Sequence, residues 1–222
     1  DIVNLQRSIM EVRQVEVNNI LKKFPRLVRD ISHKIGKEAE LNIDGERVPI
    51  DKSLLDDVEQ AMVHIVRNAV DHGLETPDER LAVGKNRRGT ININVTQEEA
   101  SIFIEVADDG RGLNLEKVKS KAVERGTITA EQAAAMTDKD AEMLIFNSGV
   151  STKDEATDLS GRGVGMDVVM TNLKKWNGEV IINHSPGQGL PVGLRLPKTH
   201  TLLTKEAILL RVGERLFCLP LE

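Results

Sequence analysis

The sequence predicts an α+β fold, a two-layer α/β sandwich in which helices cover one face of a mixed or antiparallel sheet. Three observations carry that prediction. Residues 90–96 and 100–107 are β-rich runs separated by Gln97-Glu98-Glu99, the pattern of a hairpin. Residues 179–184 and 192–196 form a second strand pair around Pro186-Gly187-Gln188-Gly189. Helical periodicities run outside these pairs, through residues 17–31, 54–73, 115–123 and 166–176. The 222 residues are enough for one sizeable core with pieces of neighbouring domains attached.

Ile2, Leu5, Ile9 and Val12 recur at three and four residues, a helix with a narrow apolar seam. A second helical pattern follows through Val17, Ile20, Leu21, Phe24, Leu27, Val28 and Ile31, with a kink or restart expected at Pro25. Two readings stand: core packing, or the end of a coiled-coil dimer helix entering a globular domain. Residues 38–43 alternate apolar and polar, Asp44-Gly45 signals a turn, and residues 47–50 are expected to return as a second strand. Asp51 or Ser53 caps the next helix, which ends near Gly73, and Thr76-Pro77-Asp78-Glu79 opens a short new one. Short helical patterns occupy residues 126–160, and Asn177-Gly178 closes the helix over 166–176. Beyond Pro197 the pattern changes. Residues 207–212 and 216–219, joined by Gly213-Glu214, read as the first hairpin of a separate β domain.

Lys and Arg total 30 against 35 Asp and Glu, a net charge of −5, which argues against non-specific nucleic-acid binding. Phosphate binding stays open, because it needs only a local cluster of donors. Four Phe, one Trp and no Tyr leave little for stacking single strands. The single cysteine, Cys218, excludes an intrachain disulfide and a multi-cysteine zinc site, and a reducing compartment is expected. No apolar run approaches the roughly 18 to 20 residues of a membrane span, so membrane insertion is not expected. Asp1-Ile2-Val3-Asn4 has no signal-peptide pattern, and both ends are expected to be cuts in a longer protein.

The most informative stretch runs His64-Ile65-Val66-Arg67-Asn68-Ala69-Val70-Asp71-His72-Gly73-Leu74-Glu75. His64, Asn68 and Asp71 stand at i, i+4 and i+7 and project from one helix face, with an apolar set on the other. Imidazole, carboxamide and carboxylate together suit a metal–phosphate site, since Mg²⁺ takes a few protein oxygens plus nucleotide phosphates. A solvated polar face gives the same pattern. Asp108-Asp109-Gly110-Arg111-Gly112 places D-x-G-x-G at a strand end. Its glycines allow close approach to a planar ligand, and Asp108 can accept from an exocyclic amine such as adenine N6; an ordinary Asp-Gly turn is the alternative. Gly161-Arg162-Gly163-Val164-Gly165 opens a helix whose N–H groups and dipole favour an anion, although its spacing matches neither the dinucleotide nor the Walker fingerprint. A loop hinge is the other reading. Between the glycine motifs, residues 113–160 form a candidate lid carrying Lys117, Lys121, Lys139 and Lys153. Lys117 and Lys121, at i and i+4, face either phosphates or solvent.

The order of these motifs resembles the signature of the GHKL (Bergerat-type) ATP-binding fold of gyrase, histidine kinases and MutL. The wording is more specific. His64-x-x-Arg67-Asn68-Ala69-x-Asp71-His72-Gly73-x-Glu75, Thr76-Pro77-Asp78-Glu79-Arg80, Ser160-Gly161-Arg162-Gly163-Val164-Gly165-Met166-Asp167-Val168-Val169 and Arg195-Leu196-Pro197 closely resemble the chemotaxis histidine kinase family, CheA. Phe24-Pro25-Arg26-Leu27-Val28-Arg29-Asp30 is similar to that family too, and the resemblance runs from about residue 15 to the end.

The resemblance implies three parts: residues 1–25 as the end of dimerisation helices, 26–202 as the ATP-binding kinase domain, and 203–222 as the start of an SH3-like regulatory domain. It implies a cytoplasmic, homodimeric enzyme of two-component signalling that moves the γ-phosphate of ATP to a histidine on a separate phosphotransfer domain. The implied partners are that domain, a CheW-like coupling protein, chemoreceptors and, indirectly, a response regulator. By similarity Asn68 coordinates Mg²⁺, His64 stands beside the γ-phosphate where related ATPases keep a general base, and Asp71 and His72 complete the polar wall. Asp108 holds the adenine amine, with Gly110 and Gly112 shaping its pocket. Lys117, Lys121, Ser151 and Thr152 are assigned to the nucleotide, and Gly161, Gly163 and Gly165 line the triphosphate. His33, His184 and His200 lie in no helical acceptor context, so the acceptor histidine is expected elsewhere.

Departures from the family pattern are local. Phe146-Asn147-Ser148-Gly149-Val150-Ser151-Thr152 lacks a proline and a second aromatic common in the lid. Gly187-Gln188-Gly189-Leu190-Pro191-Val192 lacks a threonine at the last turn, and Lys198 and His200 replace commonly apolar positions in the inter-domain link. The competing functions are a nucleotide-binding scaffold without turnover, or another GHKL ATPase or kinase.

Overall fold

The computed structural model describes residues 13–146, 166–182, 187–198, 207–212 and 215–220. In chain order the elements begin with β1 (Gln14–Glu16), α1 (Asn18–Leu21), α2 (Phe24–Lys34), β2 (Ala39–Asp44) and β3 (Pro49–Asp51). A 3₁₀ turn (Lys52–Leu54) leads into α3 (Leu55–Asn68), a π turn (Ala69–Gly73) and α4 (Pro77–Ala82). Then come β4 (Gly89–Gln97), β5 (Ser101–Asp108), α5 (Leu115–Glu124), α6 (Ala130–Ala135), α7 (Asp138–Met143) and α8 (Met166–Lys175). The last strands are β6 (Glu179–Ile182), β7 (Val192–Pro197), β8 (Ala207–Val212) and β9 (Arg215–Pro220).

The main sheet has the order β2-β4-β5-β7-β6. β2 and β4 are parallel and the remaining neighbours antiparallel, so the sheet is mixed. Its period of two builds the core. Val95, Ile104 and Leu194 are aligned across β4, β5 and β7, as are Ile93, Val106 and Val192. These rows are buried in one cluster with Val28 of α2, Met62, Ile65 and Val66 of α3, and Val169 and Leu173 of α8. Each such buried side chain contributes about 1.5–3 kcal/mol of transfer free energy. α8 is fastened to α3 at the edge of that core, where the Asp57 carboxylate accepts from the Trp176 indole at 2.6 Å and from Lys175 at 3.1 Å. Asn177, at φ 53°, takes the left-handed C-terminal position of α8, and the Gly178 N–H returns to the Leu173 carbonyl at 2.8 Å.

Several expectations are corrected. Residues 47–50 do not form a hairpin with β2: the strand is β3, it pairs antiparallel with β1, and β2 pairs with β4 instead. The Asp44-Gly45 turn redirects the chain to a second small sheet rather than folding it back. At Pro25 the restart, of the two alternatives, is what forms: α2 begins at Phe24 with Pro25 in its first turn, where the ring is tolerated. Val17, Ile20, Leu21 and Phe24 belong to the main core, so the core extends ahead of residue 26. His33 does lie on a helix, exposed in the last turn of α2 beside Lys34, where cationic side chains complement the dipole. The first apolar seam, residues 2–12, lies outside the described residues. No helix among the described residues is long and apolar enough to cross a membrane. β8 and β9 pair antiparallel as a two-stranded sheet of their own.

Candidate nucleotide site

Strand parity places Asp108 in the row of Ile102, Ile104 and Val106, on the core side of β5. A carboxyl group therefore ends a hydrophobic row, and it is only 6% exposed. Burial pushes its pKa up to about 6; N–H donors from Gly110 and Leu190 pull the other way, and the charges of Asp109 and Glu75 push upward again. The Gly110 N–H reaches Oδ1 at 2.9 Å. Backbone from three segments closes around the carboxylate. A Cβ on Gly73 would fall 2.9 Å from the Asp108 carboxylate, and one on Gly110 would fall 2.0 Å from the Gly73 carbonyl. Gly189, at φ +84°, approaches so closely that a Cβ would overlap the Asp108 carbonyl at 1.7 Å. Gly112 also takes a positive φ, 71°. The departure at Leu190 leaves this intact, because the site uses its backbone N–H.

Behind the turn lies a charged cluster. Arg80 is 1% exposed and grips Asp109 with two bonds, Nη1 to Oδ1 at 3.0 Å and Nη2 to Oδ2 at 2.8 Å. Its Nη1 also donates to Glu75 at 3.0 Å and its Nε to the Asn86 carbonyl at 2.6 Å. Lys85 Nζ donates to Glu75 at 2.9 Å and to the carbonyls of Asp109 and Gly110 at 2.9 and 2.7 Å. Burial raises the Glu75 carboxyl, but the bond from Lys85, its own backbone N–H and the charges of Lys85 and Arg80 outweigh that and hold it below its ordinary value. α4, which carries Arg80, starts with a capping box between Thr76 and Glu79.

The polar wall stands on α3 and the π turn. Its buried face is Val58, Ala61, Met62, Ile65 and Val66. Half-buried positions recur at 63–64, 67–68 and 71–73, which leaves His64, Asn68, Asp71 and His72 along one stripe. Past Asn68 the chain widens into a π turn, with the Leu74 N–H donating to the Ala69 carbonyl at 2.9 Å, where the sequence predicted continued α-helix. Lys37 Nζ closes that turn by donating to the carbonyls of Val70, Asp71 and Leu74 at 3.1, 2.6 and 2.7 Å. His72 Nε2 lies 3.8 Å from the Asp71 carboxylate. A carboxamide with a carboxylate one turn on supplies hard oxygens of the kind Mg²⁺ accepts beside phosphate and water, so the residues fit that ion.

Gly73 joins wall and pocket, since the Arg111 N–H donates to its carbonyl at 3.0 Å. Lys117 and Lys121 stand apart on α5, the first exposed and the second half-buried, over a separate cluster of Val118, Ala122 and Leu144. Ser151, Thr152, Gly161, Gly163 and Gly165 lie outside the described residues. The sequence reading gave no role to Lys37, Gly73, Glu75, Arg80, Lys85, Asp109 or Gly189. One signal was available for Glu75, Arg80, Lys85 and Asp109: two consecutive aspartates at the end of a buried strand demand cations nearby.

The arrangement defines a class. The chain has the fold of histidine kinase catalytic domains: that of the histidine kinase ThkA superposes with TM-score 0.51 at 15% identity, covering 84% of this chain and 95% of that one. The chain belongs to the histidine kinase-, DNA gyrase B-, and HSP90-like ATPase family, whose profile matches residues 55–200. It is similar to Chemotaxis protein CheA of Salmonella typhimurium, 41% identical over 99% of this chain and 32% of that one. Sensor histidine kinase CheAY of Helicobacter pylori is 39% identical over 99% of this chain and 27% of that one. For the Gliding motility regulatory protein of Myxococcus xanthus the identity is 39%, over 99% of this chain and 28% of that one. The chain thus spans about a third or less of the length of these curated relatives.

Proposed function

We propose that the chain is the ATP-binding catalytic core of a chemotaxis-type protein-histidine kinase. The observation that carries this is the buried Asp108, enclosed by backbone of Gly73, Gly110 and Gly189 beside the His64–Asn68–Asp71 wall. Asp108 accepts from the adenine amine, with Gly110 and Gly112 shaping the pocket. Asn68 holds Mg²⁺, which when bound neutralises phosphate charge. His64 stands at the γ-phosphate, with Asp71 and His72 completing the wall. Lys117, Lys121, Ser151 and Thr152 contact the nucleotide from the lid side, and Gly161, Gly163 and Gly165 line the triphosphate. Catalysis rests on positioning and charge compensation.

The domain reading is 1–25 dimerisation helix, 26–202 kinase and 203–222 regulatory, with residues 17–24 sharing the kinase core. The whole protein is a cytoplasmic homodimer coupled to chemoreceptors through a CheW-like protein and feeding a response regulator. Incubating the chain with a separate phosphotransfer domain and γ-labelled ATP tests the reading. Label is expected on that domain's histidine, with none on the chain's own histidines and a loss in Asn68→Asp. Bound nucleotide without any transferred label would leave a scaffold.

A further inference from the structure

Arg80 and Lys85 donate to backbone carbonyls of the Asp108–Gly110 turn, and both are also held by Glu75. Lys85 holds the carbonyls of both Asp109 and Gly110, while Arg80 holds the Asp109 carboxylate that also accepts the Thr90 N–H at 2.9 Å. Asp109 is thereby tied to β4, and the Asp109–Gly110 peptide is held at its carbonyl by Lys85 while its N–H donates to Asp108. The two cations also stand against two carboxylates, Asp109 and Glu75, whose charges bear on Asp108. Without cations the turn would gather three carboxyl groups, two of them buried and that of Asp109 partly exposed, which like charges oppose.

We infer that Lys85 and Arg80 are positioning residues for recognition of the nucleotide base, acting through Asp109 and the Gly110 peptide to aim the Asp108 carboxylate at an exocyclic amine. The inference rests on the ATP reading. It assigns base selectivity to residues that touch no nucleotide. Arg80 is completely enclosed, so the informative change is at Lys85, whose side chain keeps 26% exposure.

The test is binding of ATP and of inosine triphosphate, which carries a carbonyl oxygen in place of the adenine amine, to the chain and to Lys85→Met and Lys85→Arg. The parent chain prefers ATP. In Lys85→Met the ATP affinity falls about tenfold, the scale of one charge-assisted hydrogen bond, with inosine triphosphate affinity unchanged. Lys85→Arg restores the preference. An equal loss for both nucleotides, or none for either, overturns the inference, because a purely structural residue does not distinguish the bases. If Lys85→Met does not fold, Lys85→Gln is measured in its place and read the same way. A parent chain that binds ATP but not selectively also overturns it, whereas one that binds no nucleotide overturns the ATP reading and the inference with it.

Discussion

Asp108 occupies a position where strand parity calls for an apolar side chain, and its chemistry follows from that placement. Folding takes its pKa from the usual 3.8 to about 6. The folded state therefore holds this proton more tightly than the unfolded chain, so the contribution to stability is present below the unfolded value and lost as pH rises through about 6. That loss is on the order of 3 kcal/mol at neutral pH. Asp108→Asn keeps the acceptor for the Gly110 N–H and removes the charge. The variant is expected to be more stable than the parent by about 1–3 kcal/mol at pH 7.5, to lose most of that advantage near pH 4, and to bind ATP weakly. Urea unfolding at the two pH values with nucleotide titration checks this; a stability difference independent of pH contradicts it. The group proposed to accept from the adenine amine thus weakens the fold at neutral pH.

At the scale of elements, the π turn after Asn68 departs most from a regular helix. It lets Asp71 and His72 leave the α-helical register while Gly73 reaches Asp108. Its free carbonyls are held by Lys37, which arrives from the loop ahead of β2. Lys37→Met leaves three carbonyls without that donor, and a loss of about 1–3 kcal/mol is expected, with faster amide exchange at Leu74. Unchanged exchange there would separate the turn from Lys37. β4, β5, β6, β7, α3, α4, α5 and α8 were legible because alternation, helical periodicity and the cap at Thr76 are local signals. The π turn was not, since its apolar spacing mimics an α-helix over so few residues. The parallel β2–β4 pairing and the β1–β3 pairing were not either. Partner choice depends on residues 50 positions apart in β2–β4, as in Ala39 and Gly89, and 33 to 37 apart in β1–β3, as in Glu16 with Pro49 and Gln14 with Asp51. A turn signal such as Asp44-Gly45 does not specify which strand follows. Asp108 and Asn68 were singled out by motif wording, and the structure places Asp108 in the glycine-lined turn; the bonds of Lys85 and Arg80 to that turn arise only from folded proximity.

In the whole molecule, apolar burial is unequally divided. One cluster joins α2, α3 and α8 to the sheet, while a second joins Val118 and Ala122 of α5 to Leu144, with Leu113, Ile128 and Met136 at the margin. Ile145 packs against both clusters and links them. Among the described residues this cluster holds far fewer buried side chains than the first, so α5 and α7 are expected to open without unfolding the sheet. Hydrogen exchange on the free chain is expected to show amides of α5 and α7 exchanging faster than those of β4 and β5, whose ladder is buried under α3. Saturating Mg²⁺·ATP should slow α5 more than β5, if Lys117 and Lys121 engage phosphates as proposed. The parent and a Lys117→Ala, Lys121→Ala double variant separate the causes. Loss of the ATP-induced protection in the variant, with exchange of the free protein unchanged, assigns it to the lysines. Equal protection in both removes them from the nucleotide site and leaves α5 with a packing role only.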